Sequence, residues 1–300
     1  MTAQEILIIS DGVGEASIIP QIGAGLGWYD LIGGGQREPL FRPCRDLSTA
    51  HPFDLANNLL VPWSNRISGG GFTFAGEFHA LEPNIPGELL PNHGNGFSSA
   101  WAIESALPES AILSLNSVGP GPFRYTANAK YALENAALTM RLSVTNNGGK
   151  PLPFGLGLHP WFVRTPQTLL QARAERVVLE NSLHLPAGEL PVSARIDWNF
   201  ATPRRLPAAW INNAFAGWDG KAIVSWPDRK LSLQILADPP LSTYIVYSPS
   251  SVADHFCFEP VMHSVDAHNL PGGAQANGLA VLEPHHTLSI SCRFAPGRLA

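Results

Sequence analysis

Glu259 stands in the run Phe256-Cys257-Phe258-Glu259-Pro260, an unusual place for a carboxylate. Apolar neighbours make an ionised group costly unless a partner compensates it, so this residue asks for an explanation. His159, in Gly155-Leu156-Gly157-Leu158-His159-Pro160-Trp161-Phe162, is less telling by itself. An isolated histidine before proline is more often a satisfied loop or core group. Together the two types could move protons near neutrality. A carboxylate with an unperturbed pKa of about 4.3 is ionised there, and an imidazole of about 6.5 can hold or release a proton. The same stretch raises a second chemistry. In an extended strand His255, Cys257 and Glu259 share one face, with His263 and His268 downstream, a set able to ligate Zn²⁺. Alternate strand residues lie roughly 6.5–7 Å apart, however, and the downstream histidines would have to fold back. One wall of a pocket with a buried Cys257 is the preferred reading, and no metal site is expected.

Other motifs fall away. Glycine runs at Gly23–Gly27, Gly33–Gly35 and Gly69–Gly71 lack the spacing of a dinucleotide or phosphate loop and read as turns. There is no G-x-S-x-G elbow and no C-x-x-C.

Several stretches, in order along the chain, resemble the aldose 1-epimerase (galactose mutarotase) family. Asn65-Arg66-Ile67 is similar to the family's N-R-I segment, and His93-Gly94-Asn95-Gly96-Phe97 to its H-G-x-G-F turn. His159-Pro160-Trp161-Phe162 resembles H-P-[YW]-F. Asn212-Asn213-Ala214-Phe215 lies where a D-x-x-F stretch is common. Phe256-Cys257-Phe258-Glu259, followed by Asp266-Ala267-His268-Asn269, resembles F-C-x-E with its downstream D-A-x-N. The resemblance runs from about residue 55 to the C-terminus.

The resemblance implies interconversion of sugar anomers. Opening a hemiacetal takes a proton from the anomeric hydroxyl and gives one to the ring oxygen, and closure follows rotation about C1–C2. Glu259 would be the base and His159 the acid, on opposite sides of the anomeric centre and within hydrogen-bond reach. No cofactor or metal is needed. Arg66 and His93 would bind the sugar, and Trp161 would stack on it or simply pack. Asn212, with Asn213 as the second candidate, would stand where relatives carry an aspartate, so specificity is more open than catalysis. Glu283, in Leu282-Glu283-Pro284-His285-His286, belongs to a structural turn. Two other readings stay in play: an epimerase of a hexose 6-phosphate or other anionic sugar, served by Arg42, Arg45 or Arg164, and a non-catalytic sugar binder.

The elements that must position these residues are strands. Leu138, Met140, Leu142 and Val144 alternate with polar residues, as do Leu231, Leu233 and Ile235, and Leu288, Ile290, Cys292 and Phe294. Period two with one apolar face marks half-buried antiparallel strands. Glu5–Ser10, Ala111–Leu115, Arg176–Glu180, Lys221–Trp226 and Thr243–Tyr247 also read as strands. Asn146-Asn147-Gly148-Gly149 has the composition of a hairpin turn. Helical periodicity is confined to one short candidate, Thr165–Glu175. The expectation is an all-β, large antiparallel β-sandwich with few short helices, forming a single domain over residues 1–300.

Composition agrees. Only 14% of the 300 residues are charged, against about 25% in typical globular chains. The formal charge of −5, with no basic cluster, argues against nucleic acid and fits a small neutral sugar as partner. Three cysteines do not make a disulfide framework. The N-terminus has no basic region before its short apolar run, and no stretch is long enough to span a bilayer. A cytoplasmic monomer or homodimer is expected.

Overall fold

The computed structural model describes residues 5–47 and 50–299. Among them, two large sheets carry the fold. The first has eleven strands. Its path runs Leu7–Ser10, Gly14–Ile19, Gly25–Gly33, Asn57–Leu60, Gly157–Val163, His255–Val261, Thr243–Ser248, Ile211–Ala216, Arg176–Glu180 and Pro186–Pro191, with Gln36–Pro39 added beside Gly25–Gly33. The second has nine strands: Arg204–Arg205, Leu169–Ala172, Lys221–Trp226, Leu231–Ala237, Thr287–Arg298, Ala137–Asn146, Arg124–Glu134, Ser110–Val118 and Ala102–Leu107. Neighbouring strands in both sheets pair antiparallel.

Period-two patterning builds the core between the sheets. Leu138, Met140, Leu142 and Val144 are buried on one face of their strand, opposite Phe294, Cys292, Ile290 and Leu288. From the first sheet come Leu158, Phe162, Phe256, Phe258, Tyr244, Val246, Ile211 and Phe215. Phe162 stacks on Phe256 at 5.3 Å, and Phe41 meets the ring of Phe294 edge-on at 5.2 Å. Each buried ring of this kind stabilises the fold by roughly 1.5–3 kcal/mol relative to exposure. The other face of the first sheet carries a smaller apolar floor of Leu60, Val178, Ala214, Ile245 and Val261, joined by Phe97 and Val265 from loops.

Two local expectations are corrected. The short helix over Thr165–Glu175 does not form. Thr165–Thr168 makes a turn closed by Thr168 N–H on Thr165 O at 3.1 Å, and Leu169–Ala172 is then a strand paired with Lys221–Trp226. Leu170 and Ala172 are buried on one face there, so burial at period two outweighs the helical spacing. Helical structure among the described residues is limited to short 3₁₀ turns. The Asn146–Gly149 stretch closes no hairpin either. Asn146 Nδ2 instead donates to Lys150 O at 2.9 Å and Leu282 O at 2.8 Å, holding a loop that leads into the small Leu152–Phe154 and Ala280–Leu282 ribbon. The tight reversal falls at Asn135-Ala136, both left-handed at φ 52° and 62°, as a two-residue hairpin demands.

Loops then cover the outer face of the first sheet. The Asn65-Arg66 and Asn92-His93 segments lock reciprocally. His93 N–H donates to Asn65 O at 3.1 Å, and Asn65 N–H donates to His93 Nδ1 at 3.0 Å. Gly94 permits this approach: its φ is +69°, and a Cβ there would lie 2.2 Å from Val61 O. Asp266, in the D-A-x-N stretch, clamps the same loop by accepting from Ser68 N–H at 2.9 Å and Ser68 Oγ–H at 2.7 Å. Gly94→Ala is expected to destabilise the protein by at least about 1–3 kcal/mol through backbone strain, read as a lower midpoint in chemical denaturation, and to displace His93.

Candidate active site

Antiparallel register brings the chemistry together. Gly157 faces Val261 and Trp161 faces Cys257, so the intervening His159 and Glu259 lie across from each other. Odd-numbered residues of both strands point to the outer face and even-numbered ones into the core. On its other side His159 pairs with Asn58. Asn58 in turn donates to Pro52 O at 2.7 Å, tying down the 3₁₀ turn Pro52–Asp54 that carries Phe53.

His159 Nε2 and Glu259 Oε1 are 3.4 Å apart, with side-chain exposures of 8% and 4%. They sit in a cleft of about 300 Å³ lined also by Phe53, Asn65, Arg66, Glu88, Asn92, His93, Trp161, His184, Trp210, Asn212 and Tyr247. That volume suits one small ligand. The sequence reading set acid and base on opposite sides of an anomeric carbon. The structure puts them side by side on one sheet face. The two oxygens of a hemiacetal hang from one carbon, so adjacent groups can serve both.

Burial dominates the electrostatics. It pushes the Glu259 carboxyl up to about 8, with Arg66 pulling the other way. It drives His159 down to about 3, and His93 well below the ordinary imidazole value. Both shifts favour the uncharged form of each group at neutral pH. Glu259 Oε2 and His159 Nδ1 are buried without a hydrogen-bond partner among the described residues. His93 Nδ1 accepts from Asn65 N–H, so its neutral tautomer carries the proton on Nε2 as a donor. The ring of His93 meets that of His159 edge-on at 5.3 Å. Arg66 reaches Glu88 with Nη2–O distances of 3.3 and 3.2 Å.

The other expected residues separate clearly. Trp161 lines the cleft but is already engaged: His159 stacks on it at 5.0 Å and the Arg42 guanidinium lies 4.2 Å from its ring centroid. Asn212 reaches the cleft. Asn213 does not, being buried and donating to Val178 O at 2.9 Å. None of Arg42, Arg45 and Arg164 lines the cleft. Arg42 donates to Phe53 O, Arg45 pairs with Asp30, and Arg164 bonds Ser248 and Pro207 O. Of the metal candidates, His263 accepts from Ser64 N–H at 3.0 Å and His268 bonds Pro153 O at 3.1 Å, both away from Glu259. His255 faces Asp254 at 2.8 Å. A different trio, His159, Cys257 and Glu259, brings potential ligand atoms within 4.8 Å of one another. Metal binding there would have to displace protons from a thiol and a carboxyl that burial holds in their protonated forms.

Sequence reasoning missed Phe53, Glu88, His184, Trp210 and Tyr247. Tyr247 lay within an expected strand, where alternation with the core-facing Tyr244 and Val246 would have put it on the outer face. The other four carry no signal of their own, because turns and loops bring them in.

The fold is thus an antiparallel β-sandwich whose outer face holds a buried imidazole and carboxyl 3.4 Å apart in a cleft of about 300 Å³. The family model for aldose 1-epimerase matches residues 5–295. The chain is 34% identical over 248 residues to the protein YphB of Escherichia coli (strain K12), covering 81% of this chain and 84% of that one. A crystal structure from Escherichia coli K12 matches 99% of this chain and 100% of its own at 29% identity, with a TM-score of 0.90. The galactose 1-epimerase of Lactobacillus acidophilus NCFM shares the fold, with a TM-score of 0.79 at 16% identity over 100% of this chain and 97% of that one. The chain belongs to the aldose 1-epimerase family and is an isomerase. No helix among the described residues is long and apolar enough to cross a membrane.

The buried histidines make acid stability a direct test. His159 and His268 titrate near 3 and His263 near 4 in the fold, against about 6.5 unfolded. Below about 6.5 the unfolded chain takes up protons that the fold refuses, so stability is lost as pH falls toward those folded values. Each group should add up to about 1.4 kcal/mol per pH unit to the slope, while Glu259, raised to about 8 in the fold, offsets one of them above about 4.3. Denaturation midpoints measured from pH 7 to pH 4 should drop steeply, and a flat profile would contradict the burial.

Proposed function

We propose that this protein interconverts the α and β anomers of a free, neutral aldose by acid–base opening and closing of the ring. The observation that carries this reading is the His159–Glu259 pair, 3.4 Å apart on the floor of the cleft. Glu259 takes the proton of the anomeric hydroxyl while His159 gives one to the ring oxygen. The C1–C2 bond turns, and the steps reverse on the other face. The working arrangement is reached by moving the shared proton from Glu259 to His159, which leaves the charge of the pair unchanged. Arg66 favours the carboxylate in that exchange, and His93 Nε2–H and Arg66 hold sugar oxygens.

A neutral substrate is favoured by the charges at the cleft. Arg66 is its one arginine and already faces Glu88, so a phosphate would meet no unpaired cation among the lining residues. A non-catalytic binder would have no use for a buried proton-sharing pair. A continuous apolar core taking residues from Ile9 to Phe294 supports a single domain. Three free cysteines are in keeping with a reducing cytoplasm.

Exchange between α and β anomeric protons, followed by NMR across a sugar panel, tests the activity. Glu259→Gln and His159→Asn should each lower it by about 10²–10⁴-fold with the fold retained. Near wild-type exchange in either variant would reject the assigned roles. The pH dependence follows from the shared proton. Above about 8 Glu259 loses it and no acid remains, so kcat/KM should hold across neutral pH and fall roughly tenfold per unit beyond that point. A rise through pH 9 would count against the pair.

A further inference from the structure

Three side chains that line the cleft converge on one carboxylate that does not line it. Trp210 Nε1–H donates to Glu180 Oε1 at 2.9 Å, and Asn212 Nδ2–H to Glu180 Oε2 at 2.9 Å. His184 Nδ1 lies 2.7 Å from the same Oε2. His184 reaches this point from the turn after the Arg176–Glu180 strand, held at φ 60° with Asn181 Oδ1 accepting from Leu183 and Leu185 N–H.

An ionised carboxylate only accepts hydrogen bonds. Each partner must therefore turn an N–H toward it, and this fixes what remains. Asn212 is committed through its amide nitrogen, leaving Oδ1 as its free end. His184 turns Nδ1 toward the carboxylate, leaving Nε2 as the ring nitrogen that faces away from it. Register places these groups relative to the acid–base pair. Glu259 faces Ile245, and Ile245 faces Ala214. The Asn212 strand is thus two strands from that of Glu259, about 10 Å across the sheet. That is about the reach of one hexose with its hydroxyls. Trp210, 45% exposed, stands against Tyr247 at 5.2 Å as an aromatic wall beside them.

We propose that Glu180 is a positioning residue that presets Asn212 and His184 as hydrogen-bond acceptors, making the far end of the cleft a subsite for hydroxyl donors of a neutral sugar. The inference rests on the mutarotase reading for what occupies the cleft. It goes further in naming the chemistry that selects the sugar: hydroxyls remote from the anomeric carbon are read by acceptors, while phosphoryl or carboxylate oxygens in their place are rejected.

Glu180→Gln tests this. The glutamine has one acceptor oxygen in place of two, so it cannot accept from Trp210 on one side and from Asn212 and His184 on the other, and the shell that holds the presented atoms is broken. Anomer exchange and equilibrium binding, read by tryptophan fluorescence, are measured on an aldohexose, its singly deoxygenated analogues and its 6-phosphate. In the wild type at least one remote deoxy analogue should show KM and Kd raised about tenfold, the worth of one hydrogen bond. In Glu180→Gln the parent sugar should lose about that factor in KM, with kcat within about threefold, and the deoxy penalty should shrink toward unity. Asn212→Asp sets two acceptor-only groups against each other and should also raise KM, so the proposal stays testable if the first variant misfolds. Wild-type KM and an intact deoxy penalty in Glu180→Gln overturn it, as does preferred binding of the 6-phosphate. Binding with the deoxy penalty but no anomer exchange in the wild-type chain overturns the mutarotase reading and leaves the subsite standing.

Discussion

One pairing register carries the rest of this structure. With Gly157 against Val261 and Trp161 against Cys257, two residues a hundred positions apart become cross-strand neighbours, close enough for their functional atoms to touch. A slip of one residue in either strand would turn its side chain into the core and send Phe162 or Phe258 outward. The rings on the buried face therefore hold the register that aligns the polar pair on the other face. Packing and chemistry are specified by the same alternation.

Burial then sets the character of the pair. Taken from water, both groups are pushed toward their uncharged forms, the carboxyl by a raised pKa and the imidazole by a lowered one. Arg66 stands beside them in a walled cleft, where electrostatic interactions are stronger than in water. His93 contributes by staying neutral, its acceptor nitrogen committed to the Asn65 backbone and its donor nitrogen left over.

Much of this was legible in the residues. Clean alternation at Leu138–Val144, Leu231–Ile235 and Leu288–Phe294 gave an antiparallel fold, because a half-buried strand must show that pattern. The odd setting of Glu259 pointed to the candidate site, because burying a carboxylate is costly. Thr165–Glu175 misled because a short apolar run fits either period, and only its neighbours in the sheet decide. Asn146–Gly149 misled because asparagine and glycine suit loops as well as hairpins. The side-by-side placement of acid and base needed register, which no local pattern encodes. Glu180, His184 and Trp210 were silent for the same reason: their meaning lies in meeting one another from a strand end, a turn and a loop.

The separation between the sheet floor and the loops above it has an evolutionary consequence. His159 and Glu259 are locked into interior strands, while Phe53 and His184 arrive on separate connecting segments and Arg66 and His93 on two that are locked to each other. Diversifying a connecting segment perturbs neither the ladder nor the proton-sharing couple beneath it. A lineage built on this scaffold can thus drift toward new sugars one segment at a time, keeping its reaction while its diet changes.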